Sequence, residues 1–216
     1  MLRSILLTAA LGLPVLSHAQ SASRYYLGAG VAVLTDNLFH SGSYHSPTPV
    51  GPALTGGLVL GPRTALQASP SLLWASDAQT IDTYYNFGTG TPITSYRSEY
   101  RTRLFTLPVL LRYTFTNPGS RLRLDGVGGV TLLHSATHST FSNVSGNLVV
   151  RQNEYDDSAN RAFLALGPGL RYSLSPQFEL VASAPVNCVL GDSYGSFNDR
   201  LVLNVLGGVH YLFGAR

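Results

Sequence analysis

An all-β chain is the expectation from this sequence: an eight-stranded, antiparallel, up-and-down transmembrane β-barrel. Three observations lead there. Of the 216 residues, 44% are hydrophobic and only 12% charged, about half the charged share of an ordinary globular chain. Beyond the N-terminus, no apolar run reaches the roughly 18 residues of a helical span. A closed barrel is the other structure that pairs every backbone group inside lipid. Finally, apolar and polar residues alternate with period two in eight segments separated by turn-rich stretches.

The eight expected strands are Tyr25 to Leu34, Pro52 to Leu60, Thr64 to Ala75, Arg103 to Phe115, Arg121 to His134, Arg161 to Leu174, Phe178 to Asn187 and Arg200 to Phe213. Several are long enough for a tilted crossing, which takes about 9–11 residues. Gly61-Pro62-Arg63, Thr116 to Ser120 and Ser175-Pro176-Gln177 read as tight turns. Thr35 to Val50, Ser76 to Thr102, Ser135 to Asn160 and Cys188 to Asp199 read as long polar loops. Short turns at one end and long loops at the other place the turns in the periplasm and the loops outside the cell.

Phase supports a membrane barrel over a soluble one. Leu164, Leu166, Leu170, Tyr172 and Leu174 share one face of the sixth strand; Phe163, Ala165, Gly167, Gly169 and Arg171 share the other. The large apolar face is read as facing lipid, the smaller or polar face as facing the lumen. A soluble ligand-binding barrel reverses this. Acids gather in the long segments: Asp36, Asp77, Asp82, Glu99, Glu154, Asp156, Asp157, Asp192 and Asp199. Arg101 and Arg103 carry outward phase, which requires the fourth strand to rise above the bilayer there, since a mid-membrane Arg costs roughly 2–4 kcal/mol.

Residues 1–19 read as a signal peptide and 20–216 as the barrel domain. Arg3 supplies the positive end, Ile5 to Leu16 the apolar stretch, and Ser17-His18-Ala19 a small-x-small cleavage site. All 14 basic residues are arginine and the net charge is only +3, too weak and scattered to imply nucleic acid. The single cysteine, Cys188, excludes an intramolecular disulfide framework.

Two residue sets are predicted from phase and distance to the turns. Arg112, Arg123, Asp125, Arg171, Glu179 and His210 face inward at one level and form an expected lumen polar network, with Gln67, Asn204 or water completing it. A barrel this narrow is filled by its side chains. Tyr113, Phe115, Tyr172, Phe178, Tyr211 and Phe213 face outward near the turns as an aromatic girdle. No catalytic, cofactor or metal residues are assigned. His134 and His138, with Ser135 and Ser139 beside them, come nearest to a site. Each serine directly follows its histidine and so points to the opposite face, which breaks the base–nucleophile contact that an enzyme needs.

Phe105-Thr106-Leu107-Pro108-Val109-Leu110-Leu111-Arg112-Tyr113 and Gly126-Val127-Gly128-Gly129-Val130 resemble consecutive strands of PorT-like outer-membrane barrels, common in Bacteroidota. The C-terminal Gly208-Val209-His210-Tyr211-Leu212-Phe213 resembles the barrel-assembly signal, with Gly208, Tyr211 and Phe213 at its fixed positions. The resemblance implies the barrel fold and a place in the bacterial outer membrane. It does not imply a function, because fold does not fix function. The expected partners are outer-membrane lipid and the barrel-assembly machinery, with any protein partner at the extracellular loops, and the barrel is expected to be a monomer. The expected role is non-enzymatic: structural, adhesive or accessory to envelope assembly or secretion. The alternatives are a lipid-modifying enzyme of the lipid A deacylase kind and a small-solute channel.

Overall fold

The computed structural model describes residues 24–35, 48–83, 94–145, 148–191 and 200–213; the expected signal peptide lies outside them. Ten strands follow in order: β1 (Arg24–Thr35), β2 (Val50–Val59), β3 (Thr64–Ala68), β4 (Ser71–Thr83), β5 (Thr94–Thr114), β6 (Leu122–Ser145), β7 (Leu148–Ser173), β8 (Phe178–Ser183), β9 (Val186–Val189) and β10 (Leu201–Leu212). All pairings are antiparallel, and β1 pairs with both β2 and β10, which closes the ring.

The ten strands fill eight positions. β3 and β4 both lie between β2 and β5, and β8 and β9 both lie between β7 and β10. The third and seventh expected strands are therefore each bent into two. Proline causes both bends, since Pro70 and Pro185 lack the N–H that a ladder needs. The ring stays bonded across them. Leu54 N donates to Pro70 O and Asn204 N to Pro185 O, each at 3.0 Å.

Side chains sort as the period-two pattern requires. Leu124, Leu132, Leu164, Leu166 and Leu170 are exposed outward, whereas Phe163, Ala165 and Arg171 are buried within. At the β1–β10 seam, Gly30 faces Gly208. A Cβ built on Gly208 comes within 2.5 Å of the Ala29 carbonyl oxygen, so this close backbone approach requires glycine.

Two of the expected loops are mostly strand. Ser76 to Thr102 contributes the upper parts of β4 and β5, and Ser135 to Asn160 those of β6 and β7. The ladder runs unbroken from Trp74↔Arg103 to Thr83↔Thr94 and from His134↔Asn160 to Asn143↔Arg151. The result is a four-stranded blade continuing the barrel wall above the membrane by about 25 Å, taking a strand rise of ~3.4 Å and the tilt of a barrel. Asp77, Asp82, Glu99, Glu154, Asp156 and Asp157 lie on blade strands, not in loops. Asp36, Asp192 and Asp199 fall outside the described residues.

Candidate functional site

The lower lumen holds an ion cluster centred on Arg171. Its Nε donates to Asp125 Oδ2 at 2.6 Å and its Nη2 to Asp125 Oδ1 at 3.0 Å, a two-pronged pairing. The same Nη2 donates to Thr114 Oγ1 at 2.8 Å, and Nη1 to Glu179 Oε2 at 3.3 Å. The Thr114 hydroxyl in turn donates a hydrogen bond to Asp125 Oδ1 at 2.8 Å. Arg123, half-buried nearer the turns, donates to Glu179 and Ser173. Arg112 lies 3.9 Å from Asp125. Three guanidiniums thus share two carboxylates, and every member but Arg123 is buried.

The surplus positive charge is met by polarisable groups. Arg112 lies over the Tyr26 ring, 4.9 Å from its centroid, a cation–π placement. Tyr26 stacks on His210 at 4.7 Å and donates from its hydroxyl to Gln67 Oε1 at 3.1 Å. Glycine makes room for this stack. The Tyr26 ring crosses Gly57 and the His210 ring crosses Gly28, their partners in register. The ring nitrogens of His210 and the Asn204 side-chain oxygen have no hydrogen-bond partner among the described residues. Gln67 therefore joins the network, and Asn204 does not.

Above this layer the lumen turns apolar. Ala32, Leu34, Ala53, Leu73, Leu104 and Leu206 form one buried cluster, with Leu133, Val181 and Val202 packed against it. Between the layers, buried hydroxyl and amide pairs bond one another: Ser71 with Thr106 at 2.5 Å and Thr131 with Asn187 at 2.8 Å. Asn187 also donates to the carbonyls of Pro185 and Val202, each at 3.3 Å, which ties the bend at Pro185 to β10. The reading of the inner face as small or polar throughout is thus corrected for its upper half.

Space follows the same division. A vestibule of about 540 Å³ opens at the turn end beside Arg63, Arg123 and Glu179. Another of about 580 Å³ opens at the blade end, floored by Leu34, Leu104, Leu133 and Phe163 and walled by Asp77, Tyr100, Asp157 and Arg161. Between Arg112, Asp125, Arg171 and His210 the void is only about 20 Å³, room for roughly one water molecule.

On the outer face, Tyr113 and Phe115 meet edge to face at 5.4 Å, Phe178 and Tyr211 at 5.2 Å, and Tyr211 and Phe213 at 4.8 Å. Tyr25 stacks on Phe213 at 5.2 Å. Tyr172 is exposed on the same outward face. A third aromatic group lies on the blade, on the face continuing the inner wall. Phe141 meets Tyr100 at 5.7 Å and Tyr155 at 5.9 Å, with Tyr155 60% exposed.

The blade's opposite face carries the histidines. His134 Nδ1 bonds Asn160 at 2.8 Å and His138 Nδ1 bonds Asp156 at 2.7 Å. Thr140 Oγ1 lies 3.5 Å from His138 Nε2, which lines up a hydroxyl, an imidazole and a carboxylate. Asp156 is open to solvent with a side chain 86% exposed, so nothing excludes water there. Among the described residues no three His, Cys, Asp or Glu side chains group as metal ligands. Cys188 is partly buried, with its Sγ 4.0 Å from the Val189 carbonyl oxygen.

A closed antiparallel ring, apolar outside and charged within, defines a membrane-spanning β-barrel of the bacterial outer membrane. The chain belongs to the outer membrane protein beta-barrel domain family, whose model matches residues 4–187. No curated protein matches it in sequence. Among solved structures it is similar to a major outer membrane protein from Thermus thermophilus, at 16% identity over 89% of this chain and 100% of that one, with a TM-score of 0.52. It is also similar to OprG from Pseudomonas aeruginosa, at 14% identity over 89% and 96% of the two chains (TM-score 0.47). Ail, the attachment invasion locus protein of Yersinia pestis, matches at 16% identity over 88% and 97% (TM-score 0.44). At such identity the likeness to the Thermus protein is one of fold.

Proposed function

We propose that this chain is a non-enzymatic barrel with a closed lumen, which anchors the blade as an adhesive or accessory surface outside the cell. One observation carries the reading. The lumen is filled at two levels, by ions below and aliphatic side chains above, while the part that projects is built of paired strands bearing exposed aromatics. Aromatic side chains supply large contact area at small entropic cost, which is why they recur at interfaces. Tyr100, Phe141 and Tyr155 are the anchors we assign to a partner. In the same reading the barrel is a monomer of the PorT-like kind, and Gly208, Tyr211 and Phe213 are the signal read by the assembly machinery. The alternative of a lipid-modifying enzyme draws on the Thr140–His138–Asp156 alignment alone.

A display experiment tests the role. Host cells carrying the wild-type barrel should adhere to protein-coated surfaces and to one another. The Phe141→Ala/Tyr155→Ala variant, at equal surface amount, should lower that adherence about tenfold or more, the loss expected of a central aromatic anchor. Equal adherence by both strains contradicts the proposal. Release of fatty acid from outer-membrane lipid that is abolished by His138→Ala selects the enzyme instead.

A further inference from the structure

Two arginines stand on the outer wall where the apolar band ends. The outward row of β5 reads Tyr113, Leu111, Val109, Leu107, Phe105, Arg103, Arg101. A tilted strand climbs about 2.6 Å per residue, so Arg103 lies about 26 Å above the Tyr113 girdle. The apolar band of such barrels is ~25 Å tall. Both guanidiniums thus sit at the level where the acyl chains of the outer leaflet give way to headgroups.

They sit in a groove with two chemistries. Trp74 pairs with Arg103 and Ser76 with Arg101 across the β4–β5 ladder, while Leu72 and His134 flank Phe105 one step below. These side chains line a space of about 600 Å³ that opens toward the lipid. Trp74 and Phe105 are exposed into it, and tryptophan favours the headgroup level. Neighbouring charged and polar groups are already engaged: His138 by Asp156, His134 by Asn160, and Arg97 by Glu99 at 2.9 Å. Arg101 and Arg103 have no ion-pair or hydrogen-bond partner among the described residues.

The geometry points to a binding site for a phosphate-bearing lipid of the outer leaflet. The two guanidiniums take the phosphate through charge-assisted hydrogen bonds, and the acyl chains descend over Phe105, Leu72 and Leu132. Free phosphate leaves the apolar lower half of the groove unfilled. A second copy of the chain would bring Asp156, which shares the outward row of His138 and Arg101, but that carboxylate is already held by His138, and no acyl chain comes with it to fill the apolar half of the groove. The seated lipid would brace the foot of the blade at the membrane surface.

Native mass spectrometry of the folded full chain in detergent tests this, with bisphosphorylated lipid A and its dephosphorylated form as probes. Wild type should retain the bisphosphorylated lipid and release the dephosphorylated one. Arg101→Gln/Arg103→Gln should weaken retention about tenfold or more while keeping the gel shift on boiling that marks a folded barrel. Arg63→Gln, at the opposite end, should retain lipid as wild type does. Equal retention by the double variant, equal retention of the dephosphorylated lipid, full displacement by millimolar inorganic phosphate, or a lipid-free dimer lost on the same double substitution would each overturn the assignment.

Discussion

Replacing Arg171 with alanine should destabilise the folded barrel by about 3–5 kcal/mol, the cost of stranding buried charge. Arg171 alone touches both carboxylates of the lumen cluster and donates four of its hydrogen bonds. Without it, Glu179 keeps Arg123, but Asp125 keeps only Thr114 and an Arg112 at 3.9 Å. Asp125 is 3% exposed, so in the folded barrel its carboxylate depends on protein partners for its charge. Urea titration of the gel-shifted form should show a lower midpoint. Combining Arg171→Met with Asp125→Asn removes opposite charges together and should recover part of the loss, a coupling that two independent sites lack. A midpoint unchanged in Arg171→Ala would mean that the cluster is a wet rim.

Gly208→Val should prevent closure altogether. The Cβ alone would lie 2.5 Å from the Ala29 carbonyl oxygen and 2.9 Å from Gly30 Cα. Both are backbone atoms of the facing strand, which cannot rotate away as a side chain can. Overpacking commonly costs about 1–3 kcal/mol where side chains can shift; here the β1–β10 ladder itself must part. The neighbouring Gly207 is the control, since a Cβ there meets nothing within 4 Å. Refolding into detergent micelles separates packing from recognition by the assembly machinery, which is absent from the tube. Gly207→Val should refold to the gel-shifted form and Gly208→Val should not. Equal refolding would assign any cellular defect of Gly208→Val to recognition.

The strand positions were legible because lipid demands an apolar side chain at every second place, as in Leu164, Leu166 and Leu170. The same demand fails above the membrane. Ser76-Asp77-Ala78-Gln79-Thr80 meets water on both faces, so it alternates in nothing a sequence reveals, and the blade read as loop. The apolar upper lumen was hidden differently. Leu72-Leu73 and Val205-Leu206 place one apolar residue on each face, and such doublets erase the contrast between inside and outside. Tyr26 carries a signal in its phase. Its neighbour Tyr25 faces lipid, so Tyr26 must face inward, at the level of Arg112. Counting from the turns groups Arg112, Arg123, Asp125, Arg171 and Glu179, but not who pairs with whom, because the stagger between tilted strands sets the partners.

Single-channel recording in a planar lipid bilayer tests the closed lumen most directly. The ion cluster leaves a void of only about 20 Å³ among its side chains, and aliphatic side chains pack above it. The purified, folded chain should therefore give no stable conductance step in molar salt. Arg171→Ala, where it still folds, should give at most brief, irregular openings, because Leu73, Leu104 and Leu206 still block the upper half. A reproducible open level in wild type, shifted by substituting Arg171 or Arg112, would contradict the account and make the barrel a channel.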